Sequence, residues 1–212
     1  PCVSDEVRAA VTSKISHTLT ISAQSGAGIE ALADLVDTLF VDGARLGYAL
    51  SSPECDVTLA DLARLCDVFY IGGTKVGALC GEAVVFPRGN APRHFMNIVK
   101  RHGALLAKSR LAGVQFDALF TDNLYLNIAQ HAISMAMKVR QLFTEAGIPL
   151  RDSSTNQQFV ELTNKQMEQL MQGVLFETWE PIDANNTLCR FVTSWATTEE
   201  DLQALKSALE TL

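Results

Sequence analysis

Apolar residues along the chain cluster in two kinds of pattern. Short continuous runs, Thr38-Leu39-Phe40-Val41, Val68-Phe69-Tyr70-Ile71 and Ala83-Val84-Val85-Phe86, end abruptly at Asp42, at Gly72-Gly73-Thr74-Lys75 and at Pro87. Runs of this kind predict strands buried on both faces of a parallel sheet. A further short strand is expected at Leu19–Ser22, followed by a turn at Gly26-Ala27-Gly28. Helices are predicted over residues 5–15, Ile29–Val36 and Leu59–Cys66. Thr58 and Asp61 are spaced as a capping box for the last of these, with Asp in place of the usual Glu. Strands alternating with helices make a βαβ pattern and an α/β sheet.

Beyond Pro92 the period becomes helical. Leu124, Ile128, Ala132, Met135, Val139 and Leu142 recur every three or four residues, which places them on one face of a long helix stopped by Gly147 and Pro149. Phe159–Leu162 and Leu188–Thr193 read as extended pieces. A final helix is predicted with Thr197 as cap, Glu200 in its first turn, and Leu202, Leu205, Leu209 and Leu212 on one side. The organisation expected is a larger domain over residues 1–119 and a small C-terminal α/β domain over residues 120–212. The sequence holds no repeat and no low-complexity tract.

Composition narrows the classes of function. Hydrophobic residues make up 48% of the 212 and charged residues 19%. That apolar share excludes a polar disordered tail. The balance of 17 Lys and Arg against 24 Asp and Glu gives a net charge of −7, which argues against nucleic acid as a partner. No run approaches the roughly 20 apolar residues of a membrane span, and no basic segment leads into an apolar leader. No membrane partner and a cytoplasmic location are therefore expected. Cys2, Cys55, Cys66, Cys80 and Cys189 are scattered without a CxxC pair, and the histidines have no HxxxH spacing. Reduced thiols and no metal site follow as expectations.

Ligands of α/β sheets sit at the carboxyl ends of strands. Asp42 opens Asp42-Gly43-Ala44-Arg45 at one such end, and Lys75 closes Gly72-Gly73-Thr74-Lys75 at another. A carboxylate and an amine at neighbouring strand ends suit pyridoxal phosphate. The amine can form a Schiff base with the cofactor's aldehyde, and the carboxylate can keep the pyridine nitrogen protonated. Each residue also has an ordinary reading: Asp after a strand is a common cap or turn residue, and a lysine in a glycine turn is a solvated charge. Gly72-Gly73-Thr74-Lys75 is not a phosphate-binding P-loop, because its lysine follows rather than precedes the threonine and residue 70 is not glycine. Gly26-Ala27-Gly28 lacks the third glycine of a dinucleotide fingerprint. Arg45 and Arg190 are candidates for binding an anion, with solvated or ion-paired surface roles as the alternative.

The segments FVDGARLGYAL (Phe40–Leu50), CDVFYIGGTKVGALCGE (Cys66–Glu82) and RFVTSWAT (Arg190–Thr197) resemble the threonine aldolase family. That family belongs to the pyridoxal-phosphate enzymes of fold type I, the aspartate-aminotransferase fold, alongside related β-eliminating lyases. The resemblance implies a three-layer sandwich with a mostly parallel sheet and a small C-terminal lobe. It implies Lys75 as the Schiff-base lysine, Asp42 as partner of the ring nitrogen, and Ala44 against one ring face. Arg45 and Arg190 would hold the substrate carboxylate, and Lys108 would lie near the cofactor phosphate, with a plain surface lysine as the competing reading. The activity implied is cleavage of threonine or allo-threonine to glycine and an aldehyde. A β-elimination from an aromatic amino acid, or a non-catalytic truncated homologue, are the alternatives. The expected partners are a small amino-acid substrate and further copies of the chain, as homodimer or homotetramer. Family members also carry an N-terminal portion, absent from this sequence, that supplies a backbone cradle for the phosphate and a histidine stacked on the ring.

Overall fold

The apolar run at residues 68–71 forms the middle strand of a three-stranded sheet in the computed structural model, which describes residues 39–212. The helices expected at 5–15 and Ile29–Val36, the strand at Leu19–Ser22 and the turn at Gly26-Ala27-Gly28 lie outside the described residues. In chain order, β1 is Phe40–Val41, α1 Leu46–Leu50, α2 Leu59–Leu65, β2 Val68–Gly72 and β3 Glu82–Val85. They are followed by α3 (Phe95–Arg101), α4 (Arg110–Phe120) and α5 (Leu124–Glu145). Last come β4 (Gln157–Thr163), α6 (Asn164–Leu170), β5 (Glu177–Pro181), β6 (Asn186–Val192) and α7 (Glu199–Leu209). The chain divides into two units. The first runs to Leu124, and the second holds Ser51–Pro53 and Tyr125–Leu212.

In the first unit β1 and β2 run parallel, with Phe40 opposite Val68 and Val41 opposite Phe69. Their amino ends are tied by Asp67: the Leu39 N–H donates to its carboxylate at 2.8 Å, and Arg88 pairs with it at 2.8 Å. The capping box of α2 forms as its spacing predicts, Thr58 accepting from the Asp61 N–H and Asp61 accepting from the Thr58 N–H. β3 departs from the βαβ pattern and pairs antiparallel with β2. The link between them, Gly73–Gly81, carries only a single 3-10 turn at Thr74–Val76. A parallel crossover needs a dozen or more residues, so the chain can only fold back. Burial alternates along β2, with Phe69 and Ile71 buried. The opposite face is more open than a strand covered on both sides would be, with Phe40 55% and Val84 50% exposed.

The second unit is a sheet in the order β4-β6-β5, antiparallel throughout. Its core joins Phe143 and Val139 of α5, Val160 and Leu162 of β4, Cys189 and Phe191 of β6, and Leu202, Leu205 and Leu209 of α7. Gly147 at φ +71° ends the turn after α5, where a left-handed residue is needed. Ala132, Met135 and Val139 of the expected face of α5 are buried, joined by Tyr125, Ala129, Ile133, Ala136 and Phe143, while Leu124 is exposed. The cap of α7 is Thr198 with Asp201, one residue beyond the expected Thr197 and Glu200. Thr197 instead accepts the Ser194 N–H at 2.9 Å. β5 has no counterpart among the expected elements. All five of its residues are exposed, so it carries no buried alternation to read.

Candidate active site

Because β1 and β2 are parallel, Asp42 and the Gly72–Lys75 turn leave the sheet at the same carboxyl edge. Two close approaches lock the loops together. The Gly72 N–H donates to the Gly43 carbonyl at 2.9 Å, and the same carbonyl accepts the Leu46 N–H at 3.0 Å to start α1. A Cβ on Gly43 would lie 1.6 Å from the Tyr70 carbonyl oxygen, and one on Gly72 would lie 2.4 Å from the Ala44 oxygen. Only glycine permits backbones this close. From α1, the buried Tyr48 hydroxyl donates to the carbonyl of Lys75 and pins the second turn.

The Asp42 carboxylate is exposed, and its Oδ1 accepts from the Tyr70 hydroxyl and from the Ala44 N–H, the latter at 3.0 Å. These two bonds, Tyr70 first, hold its pKa below the ordinary carboxylate value. The same bond pushes the Tyr70 hydroxyl up. Glu82, at the start of β3, sits within electrostatic reach of both Asp42 and Lys75. Loss of solvation raises its pKa; the Gly73 N–H bond opposes the rise, the Asp42 charge adds to it and Lys75 opposes it. Lys75 is exposed, and its ammonium has no hydrogen bond or ion pair among the described residues. Ala44 and Arg45 complete the first turn, and Arg45 Nε is buried without an acceptor among the described residues. Lys108 is exposed and precedes α4, whose Phe116 and Ala112 abut Gly73 and Gly81.

Arg190 lies in the second unit, on β6, opposite Phe159 of β4 and Glu177 of β5. Its guanidinium bonds Gln157 at 2.8 Å, pairs with Glu177 and stands 4.5 Å from the centre of the Trp179 ring. Its side chain is 15% exposed, and its Nε has no acceptor among the described residues. Tyr48, Tyr70 and Glu82 were not among the residues singled out from sequence. Tyr70 lies inside an apolar run, and only the pairing of β1 with β2 puts it beside Asp42.

No family model matches the chain. A low specificity L-threonine aldolase of Pseudomonas aeruginosa is 28% identical over 170 residues, which are 79% of this chain and 48% of that protein. A structure of Leishmania major threonine aldolase superposes with a TM-score of 0.82 at 37% identity, covering 86% of this chain and 55% of that one. The chain is a relative of the threonine aldolases. A Sphingomonas wittichii serine palmitoyltransferase, 16% identical with a TM-score of 0.60 over 90% of this chain and 52% of its own, shares the architecture alone. The fold is fold type I of the pyridoxal-phosphate enzymes, with a mixed sheet in its described part. The chain spans about half the length of the threonine aldolases it matches.

Proposed function

We propose that this threonine aldolase relative is the part of a pyridoxal-phosphate lyase that carries its cofactor lysine, and that the reaction is cleavage of a β-hydroxy amino acid such as threonine or allo-threonine to glycine and an aldehyde. The observation that supports this reading is the hydrogen bond from the Gly72 N–H to the Gly43 carbonyl, which brings the Asp42 and Lys75 turns to one sheet edge. The residues present fit the ring end of the cofactor. An exposed ammonium stands on one turn, a carboxylate with one oxygen that meets no donor among the described residues stands on the other, and glycines let a flat ring approach the backbone. When bound, pyridoxal phosphate supplies an electron sink for the charge released as a bond to Cα breaks.

The chain's own residues have separate tasks. Lys75 Nζ is the attachment point, and the Tyr48 hydroxyl on its carbonyl keeps the turn in place while Nζ is engaged or released. Asp42 holds a proton on the ring nitrogen, and Ala44 offers a small side chain to one ring face. Lys108 supplies positive charge for the phosphate. Arg45 and Arg190 bind the substrate carboxylate, a planar fork matching two oxygens. Arg190 pairs with the Glu177 carboxylate, which a substrate carboxylate would have to displace on this reading. Further proposals are that residues 1–119 belong to the cofactor-binding domain and 120–212 to the small domain, and that the working form is a homodimer or homotetramer in the cytoplasm.

Borohydride reduction of the chain with pyridoxal phosphate tests the assignment. Peptide mapping is expected to find the cofactor on the peptide containing Lys75 and to lose it in Lys75→Ala. Label spread over other lysines, or retained in that variant, refutes it. Glycine formed from threonine supports the aldolase reading. Pyruvate formed from tyrosine, without glycine from threonine, replaces it with β-elimination.

A further inference from the structure

The hydrogen bonds on Asp42 are lopsided. The Ala44 N–H and the Tyr70 hydroxyl both donate to Oδ1, and none of the described residues donates to Oδ2. The parallel register that sets Val41 opposite Phe69, continued by one residue, brings Asp42 level with Tyr70. The Tyr70 ring is itself steadied by Phe40, at 6.1 Å between centroids. An exposed carboxylate on a short side chain otherwise rotates about its last torsion and exchanges its oxygens. Two donors on one oxygen, arriving from its own turn and from the next strand, fix which oxygen is left without a donor among the described residues.

We propose that Tyr70 is a positioning residue for Asp42: its hydroxyl, with the Ala44 N–H, occupies Oδ1 so that Oδ2 is presented to the protonated ring nitrogen of pyridoxal phosphate. The inference rests on the reading of Asp42 as the ring-nitrogen partner. The charged and titratable groups in reach of the pair are Glu82 on β3 and, through Glu82, Lys75 on the turn after β2. The hydrogen bond lowers the Asp42 pKa and raises that of Tyr70. Tyr70 therefore stays a neutral donor throughout the range in which Asp42 ionises.

The test is Tyr70→Phe in the full chain, which keeps the ring against Phe40 and removes one oxygen. In the cofactor-free protein, the Asp42 carboxyl is followed by carbon NMR and assigned with Asp42→Asn. Its titration is expected to move upward. Pyridoxal phosphate affinity is expected to fall about tenfold, the usual scale for a lost hydrogen bond to a charged group, while borohydride still traps the cofactor on Lys75. Should Tyr70→Phe fold poorly, the tyrosine titration of Asp42→Asn carries the same information, because Tyr70 should then ionise at lower pH than in the unaltered chain. Trapping on Lys75 with unchanged affinity and an unchanged Asp42 titration overturns the role of Tyr70 alone. Failure to trap Lys75 in the unaltered chain overturns the reading of the site, and this inference with it.

Discussion

Gly43→Ala is the sharpest perturbation of the sheet edge. The added methyl would stand 1.6 Å from the Tyr70 carbonyl oxygen and 2.8 Å from its carbonyl carbon. A carbon–oxygen contact needs about 3.3 Å, and the obstacle is backbone, so the whole turn must move off β2 by well over an ångström. That movement breaks the 2.9 Å bond from the Gly72 N–H to Gly43 and disturbs the 3.0 Å bond from Leu46 that starts α1. Overpacking of this kind costs about 1–3 kcal/mol, and each lost backbone bond adds about 1 kcal/mol. The expected loss is about 3–4 kcal/mol, or a melting temperature roughly 10 °C lower for a chain of this size. Displacing the turn also carries Asp42 away from Tyr70, so pyridoxal phosphate binding should fall in parallel. Gly113→Ala is the matched control. It lies inside α4 with nothing within 4 Å of the new methyl, and should be neutral or up to about 1 kcal/mol more stable. Thermal melting and cofactor titration read both variants. A Gly43→Ala protein that melts with the parent and binds cofactor equally well refutes the docked-turn account of the site.

Two further outcomes are expected. Phe143→Ala empties a fully buried site whose ring meets Phe191 edge-on at 4.7 Å, and should cost about 3–5 kcal/mol by denaturant titration; a cost below 1 kcal/mol would contradict the core described. Among the described thiols, Cys80 is exposed, Cys55 half-buried, and Cys66 and Cys189 buried. Burial pushes Cys189 up to about 11, leaving it protonated at pH 8, so alkylation with iodoacetamide should label Cys80 first and Cys189 only on unfolding. Peptide mapping that finds Cys189 labelled as fast as Cys80 would overturn that order.

What the sequence disclosed of the fold follows the range of the interactions involved. The Thr58–Asp61 box is legible because every partner lies within three residues. At α7 two such boxes overlap, Thr197 with Glu200 and Thr198 with Asp201, and the choice depends on Thr197 being used by the Ser194 N–H. On α5 the predicted face holds from Ala132 through Val139 and fails at its start, where Leu124 is exposed. Large apolar residues suggest that the face begins at Leu124 and Ile128, whereas the buried stripe begins at Tyr125 and also takes in the alanines at 129 and 136. Alanine adds little to a hydrophobicity count, yet it permits close backbone approach. β5 was illegible because every residue of Glu177–Pro181 is exposed; an edge strand ending in proline is defined by its neighbour β6 and not by its own pattern.

The site divides along the same line. Asp42 and Lys75 could be found because each interrupts an apolar run, and parallel pairing then puts both interruptions on one edge. Tyr70 could not, because tyrosine inside Val68–Gly72 reads as one more β-forming residue. Its hydroxyl acquires a partner only through a strand pairing 28 residues apart in sequence. Glu82 is hidden likewise, since it reaches the Lys75 turn only because β3 folds back antiparallel to set it opposite Gly72. Arg190 carries the argument furthest. Its residue type predicts a carboxylate ligand, and the structure supplies one from the neighbouring strand, Glu177. A guanidinium 15% exposed must keep a negative partner to offset its lost hydration, whereas the Glu177 side chain, 60% exposed, can return to water at little cost. The pairing is therefore asymmetric: under the proposed function, an incoming carboxylate would compete with a partner that leaves easily, for a cation that cannot be left alone.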